Sequence, residues 1–174
     1  NVEEVRAVRR LCVSIMKEFS KKGIEHNKDI KIGVMTETPA AAIIADLLAS
    51  EADFFSIGTN DLTQYTMAVD RGNPDVAYLY STYDPAVLRS VKRIIDAAHS
   101  AGIPVGMCGE AAADKKMIPL LISFGLDEFS VNPASVLEVR KCISQWNKKD
   151  ADELTEKVMS LPTQAEVLAA LEGI

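Results

Sequence analysis

Apolar and polar positions along the chain alternate between two periods, and each change of period marks an element. Residues 2–21, VEEVRAVRRLCVSIMKEFSK, place Val5, Val8, Leu11, Cys12, Ile15, Met16 and Phe19 at helical spacing with charge on the other face. Gly23 is well placed to end that helix. IKIGVMTE then reads as a strand, Thr38-Pro39 as a turn and helix start, and AAAIIADLLASE as a helix. DFFSIG is a second strand, and an amphipathic helix opens near Asn60. A long polar stretch, DRGNPDVAYLYSTYDP, precedes the helix AVLRSVKRIIDAAHS, which Ala101-Gly102 closes. IPVGMCGE is the third strand, AAADKKMIPLLISFG a helix, DEFSV a brief fourth strand, and SVLEVRKCISQW a further helix. Residues 149–174 carry two short helical patterns split at Leu161-Pro162-Thr163.

Polar residues at the strand ends recur at a near-constant step. Glu37 and Asp61 are 24 residues apart, and Cys108 and Val131 are 23 apart. The interval from Asp61 to Cys108 is 47 but holds one helix, so it reads as one enlarged loop. Four βα units with short, apolar strands predict a parallel sheet with helical crossovers. Strands are expected near 30–36, 53–57, 103–108 and 128–131. No GxGxxG or GxxxxGK[ST] follows a strand, which disfavours the nucleotide-binding versions of such sheets. A (β/α)8 barrel needs eight strands and about 250 residues. With 174 residues and four strands, the expectation is α/β: half of a TIM-type barrel with outer helices.

Composition narrows the functional classes. A hydrophobic fraction of 48% and a charged fraction of 25% suit an ordinary globular domain. The net charge of −6 disfavours nucleic acid or anionic membrane as the main partner. Cys12, Cys108 and Cys142 form no CxxC pair, which argues for free thiols in a reducing compartment. No apolar run is long enough to span a bilayer, and the first residues read as a helix, not a signal peptide. The cytoplasm is the default expectation.

In a parallel barrel the carboxyl ends of the strands converge on one mouth, where ligands bind. That convergence would gather Glu37, Asn60-Asp61, Cys108-Glu110 and Asn132. Glu37 and Asp61 are candidates for one Mg²⁺, which takes one or two carboxylates and completes its shell with substrate oxygens and water. Taken singly, Asn60 or Asp61 reads as a helix cap and Glu37 as a solvated turn residue. Cys108 sits near Gly106 and Gly109 at a strand tip, where a thiol can exchange a proton with a substrate. Cys12 and Cys142 lie on helix faces as inert thiols. Arg71 opens the long loop and can fold back to grip a carboxylate or phosphate. His26, in a charged linker, and His99, near a helix end, read as ordinary polar residues.

GVMTETPAAAIIADLL, DFFSIGTNDLTQYTMAVDRGN, GMCGE and GLDEFSVNPASV resemble, in order and spacing, the phosphoenolpyruvate (PEP)-binding barrel of the enzyme I family. These are the PEP-protein phosphotransferases of the bacterial sugar phosphotransferase system. Pyruvate phosphate dikinase and PEP synthase share the strand-end pattern, whereas TQYTMAVDRGN looks like the phosphotransferase branch. The resemblance implies Glu37 and Asp61 as Mg²⁺ ligands. It also implies Asn60 and Arg71, with Asp61, on the PEP side of the site, and Cys108 as the acid that protonates the enolate as pyruvate forms. Ala113 departs from a position where the family has glycine. The family's two other substrate arginines and its phosphorylated histidine lie in segments that nothing here matches. Residues 1–174 are thus expected to form the C-terminal half of the barrel, with 149–174 a helical extension and no activity in isolation.

The implied partners are PEP and pyruvate, a histidine-containing phosphocarrier protein reached through the missing N-terminal domain, and a second copy in a homodimer. Competing readings are a dikinase or Mg²⁺-dependent lyase on the same barrel, and a non-catalytic half-barrel serving dimerisation or regulation.

Overall fold

The computed structural model describes residues 1–174. Strands β1 (Val34–Thr36), β2 (Phe55–Gly58), β3 (Val105–Cys108) and β4 (Glu128–Phe129) form one parallel sheet in chain order. Val34 lies opposite Phe55 and Phe55 opposite Val105, while Met35, Ser56, Gly106 and Glu128 form the next row. Nothing closes the sheet: β1 and β4 are both edges. Four parallel strands with surrounding helices make half of a TIM-type barrel, as the repeating βα units predict.

Strand alternation sends successive residues to opposite faces. Phe55, Ile57, Val105 and Met107 are buried under the helices, while Met35, Ser56, Gly106 and Glu128 face the open, concave side. The covering helices are α2 (Pro39–Ile43), α3 (Ala45–Ala49), α5 (Pro85–Ser100) and α6 (Ile118–Phe124). Helix α5 starts where Asp84 accepts the N–H of Ala86 and Pro85 presets the first turn. Its Val87, Leu88, Val91, Ile94, Ile95 and Ala98 recur at helical spacing and are all buried. Helices α8 (Lys148–Met159) and α9 (Gln164–Ala170) bring Val158 and Val167 into the same core, so the C-terminal segment is part of the packing.

Two expectations need correcting. The helix expected over 40–51 is two short helices, α2 and α3, broken at Ile44. The stretch 111–125 begins as a 3₁₀ turn at Glu110–Ala113 before α6. Helix α1 (Val2–Lys21) forms as predicted, with an Asn1/Glu4 capping box, yet buries none of its residues. Val2 and Val5 touch the core, while Val8, Leu11, Ile15 and Phe19 remain exposed.

One device pins the two outer strand pairs, β1–β2 and β3–β4, at their base. The sequence repeats Asp-x-Phe-Ser at Asp53–Ser56 and Asp127–Ser130. Asp53 accepts the backbone N–H of Ile32 (2.7 Å), and Asp127 accepts that of Val105 (2.9 Å). In return Asp53 N–H donates to Ile32 O and Asp127 N–H to Val105 O. Arg9 lies 3.2 Å from Asp53, and His99 lies 3.0 Å from Asp127. The Ile32 N–H holds Asp53 below its ordinary pKa against the cost of burial, aided by Arg9. At Asp127 burial opposes ionisation, but the Val105 N–H and His99 overcome it. A carboxylate with a depressed folded-state pKa adds stability above its unfolded pKa, and that stability is lost as pH falls through the folded value. In the Asp53→Asn, Asp127→Asn double variant the urea midpoint is therefore expected to be lower at neutral pH. The loss of stability below about pH 4 should also be shallower than in the parent chain. Parallel acid profiles for the two proteins would assign that loss to other groups.

Candidate functional site

Every strand-end residue of interest lies at the same end of the sheet. Glu37 directly follows β1, and its side chain crosses the end of β2 at Gly58. A Cβ built on Gly58 would sit 2.8 Å from Glu37 Cβ and 2.7 Å from its Oε2, so only glycine admits this approach. Gly58 is opposite Cys108 in the sheet register. Glu37 is half-buried and engages in no ion pair or side-chain hydrogen bond within the chain.

Helix α4 (Thr59–Met67) starts immediately after β2, with Gly58 as its N-cap residue and no side-chain cap. Neither Asn60 nor Asp61 caps it, contrary to the capping alternative. Thr59 Oγ1 donates instead to Cys108 O (3.2 Å), tying the helix start to the tip of β3. Gly109 makes this possible: its φ of +101° lies in the left-handed region, and a Cβ there would meet Thr59 Oγ1 at 2.5 Å. Asn60 Oδ1 accepts the N–H of Glu110 (3.3 Å). Its carbonyl is thereby engaged and its amide NH₂ is left to donate. Tyr80, from the long loop, donates its hydroxyl to Asn60 O (3.3 Å), and burial pushes its phenol up, keeping it a neutral donor.

Arg71 does fold back. Ala68 ends α4 in the left-handed conformation (φ 53°), buried Val69 anchors the turn, and Arg71 N–H donates to Gln64 Oε1 (3.1 Å). Arg71 Nη2 then lies 3.6 Å from Asp61 Oδ1. Both side chains are partly exposed, so the guanidinium is held beside the carboxylate without being consumed by a tight ion pair.

Cys108 ends β3 on the concave face. Its Sγ–H points to Ile57 O (3.6 Å), and Ser56 Oγ donates to its Sγ at 3.5 Å. Cys142 differs: it is buried between α6 and α7 (Val136–Ser144), and burial pushes its thiol up, which suits an inert core residue. Cys12 is half-buried on α1. Asn132 is spent locally, accepting the N–H and hydroxyl of Ser135.

Glu37, Asn60, Asp61, Arg71 and Cys108 thus lie at three neighbouring strand ends: Glu37 packs over Gly58, Thr59 and Asn60 bond to the tip of β3, and Arg71 lies beside Asp61. Ser56, Thr59, Gly58 and Tyr80 were not singled out by sequence reasoning. The signal for Ser56 was present: it is the one polar residue interrupting the apolar run FFSIG. No group of three or more His, Cys, Asp or Glu side chains assembles into a metal cluster. Glu37, at the end of β1, and Asp61, in the first turn of α4, are the two carboxylates the sequence marks for a cation. That set suits a hard ion such as Mg²⁺, which keeps much of its shell for water and substrate oxygens.

A family model described as the PEP-binding domain of PEP-utilising enzymes matches residues 1–148. The PEP-protein phosphotransferase of Bacillus subtilis (strain 168) is 47% identical over 168 residues, 97% of this chain and 30% of the relative. That of Haemophilus influenzae is 45% identical over 172 residues, covering 99% of this chain and 30% of the relative. The enzyme of the same name from Buchnera aphidicola is 44% identical over 173 residues, with the same two coverages. The chain spans about 30% of the length of these curated relatives.

Proposed function

The chain belongs to the PEP-utilising enzymes, and we propose that it supplies the strand-end half-site of a PEP-protein phosphotransferase. The observation that carries this reading is the linkage of Glu37, Asn60, Asp61, Arg71 and Cys108 across β1, β2 and β3. In this reading Glu37 and Asp61 hold Mg²⁺, which would offset the charge of the phosphoryl and enolate oxygens. Arg71 and the Asn60 amide bind the phosphoryl group, the one as a charged fork and the other as a neutral donor. Once the phosphoryl group has left for an acceptor histidine, Cys108 Sγ–H delivers its proton to the methylene carbon, and pyruvate forms.

The rest of the barrel, the remaining substrate cations and the acceptor histidine belong, in this account, to the part of the enzyme outside this chain. From that histidine the phosphoryl group passes to a histidine-containing carrier protein that serves sugar uptake in the cytoplasm. Dimerisation is part of the same proposal. No helix of the chain is long and apolar enough to cross a membrane.

The test is PEP-dependent phosphorylation of the small histidine-containing carrier by a full-length polypeptide containing this chain. Mg²⁺-dependent label on the carrier is the expected result. Label reaching AMP in the presence of pyrophosphate, with none on the carrier, would favour a dikinase instead.

A further inference from the structure

Ser56 occupies the concave face of β2 directly below the strand end, and its hydroxyl makes one hydrogen bond, to Cys108 Sγ at 3.5 Å. The thiol is therefore held between a donor and an acceptor, with its own proton directed at Ile57 O, 3.6 Å away. Gly106, beside Ser56 in the register, presents no side chain to compete for that hydroxyl. We propose that Ser56 is a positioning residue that sustains the thiolate of Cys108, an inference that rests on the reading of Cys108 as the proton donor.

The step balances without any further reactant. The S–H bond breaks and its electron pair stays on sulfur, while the enolate double bond supplies the pair for the new C–H bond. Before transfer, sulfur donates to Ile57 O and accepts from Ser56. After transfer it has no proton to give, and the Ile57 carbonyl becomes a repulsive neighbour. The Ser56 hydroxyl then becomes a charge-assisted donor, roughly twice as strong as a neutral one. It keeps its own proton throughout. Ile57 O and Ser56 Oγ thus favour opposite states of the same sulfur, and removing the hydroxyl unbalances them against the thiolate.

The experiment reads the thiolate directly, without substrate. Alkylation of the chain by iodoacetamide at pH 8 is followed at Cys12, Cys108 and Cys142 separately by peptide mass spectrometry. A hydrogen bond to a charged group changes the thiolate population about ten- to a hundredfold. The greater intrinsic nucleophilicity of a less stabilised thiolate offsets about half of that on a logarithmic scale. Alkylation of Cys108 is therefore expected to slow about three- to tenfold in Ser56→Ala and to recover in Ser56→Thr, which restores a hydroxyl. Cys142 should stay protected in all three proteins, as its burial requires of a folded chain. An unchanged or faster Cys108 rate in Ser56→Ala, or failure of the threonine variant to recover it, overturns the proposal. This outcome is independent of the phosphotransferase reading, which stands or falls on the carrier-labelling assay.

Discussion

Cys108→Ser is expected to leave PEP binding in place and to slow pyruvate formation by about 10²- to 10⁴-fold, the usual contribution of a positioned acid or base. Serine nearly preserves the side-chain volume but offers a far weaker acid, since a thiol ionises near pH ~8.5 and an alkanol far higher. Asn60 and Arg71, the residues proposed to grip the phosphoryl group, come from α4 and the loop after it, not from β3. Binding and protonation are therefore separable on this scaffold. Pyruvate release from labelled PEP with Mg²⁺, measured beside the PEP dissociation constant in the full-length enzyme, checks both halves of the statement. Unimpaired pyruvate formation by the serine variant removes Cys108 from the mechanism.

Glu37→Gln and Asp61→Asn are expected to lower turnover at least about a hundredfold and to weaken the Mg²⁺ dependence, each removing the charge of a proposed ligand while nearly preserving shape. Their effect on folding should be small. Glu37 has no protein partner to lose, and the Asp61–Arg71 pair is partly exposed with its charges 3.6 Å apart. Such a pair contributes about 0–1 kcal/mol. Urea midpoints near the parent value beside a depressed, Mg²⁺-insensitive turnover are the predicted pattern. Normal Mg²⁺ titrations in both variants would make these carboxylates structural.

The parts of the fold that depend on local periodicity were legible. The four strands, their order and the helices α1, α5 and α7 follow from apolar spacing, because burial on one face selects the same residues that the pattern marks. Where apolar residues surround a segment, periodicity says less. AIIADLL reads as one helix, but at Ile44 (φ −102°, ψ 25°) the backbone leaves helical geometry and the chain turns between α2 and α3. The exposed stripe of α1 marks another limit. Its spacing predicts a helix but not whether this chain supplies a surface to cover it.

At the site, the sequence marked residues by chemistry and left their contacts unseen. Glu37, Asp61 and Cys108 stand out as reactive groups at strand ends, whereas Gly58 and Thr59 matter only through approaches between strands distant in sequence. Gly109 stands out in the sequence only as a neighbour of Cys108, whereas its left-handed backbone serves to admit Thr59.

The central claim is that this chain holds one part of a PEP phosphotransfer site and needs the remainder to turn over. The most direct measurement is incorporation of label from PEP radiolabelled in its phosphoryl group, with Mg²⁺, into two proteins: the 174-residue chain alone and a full-length polypeptide containing it. The account predicts a phosphohistidine in the full-length protein, outside residues 1–174, and no label in the isolated chain. Stable label on His26 or His99 of the isolated chain would contradict it.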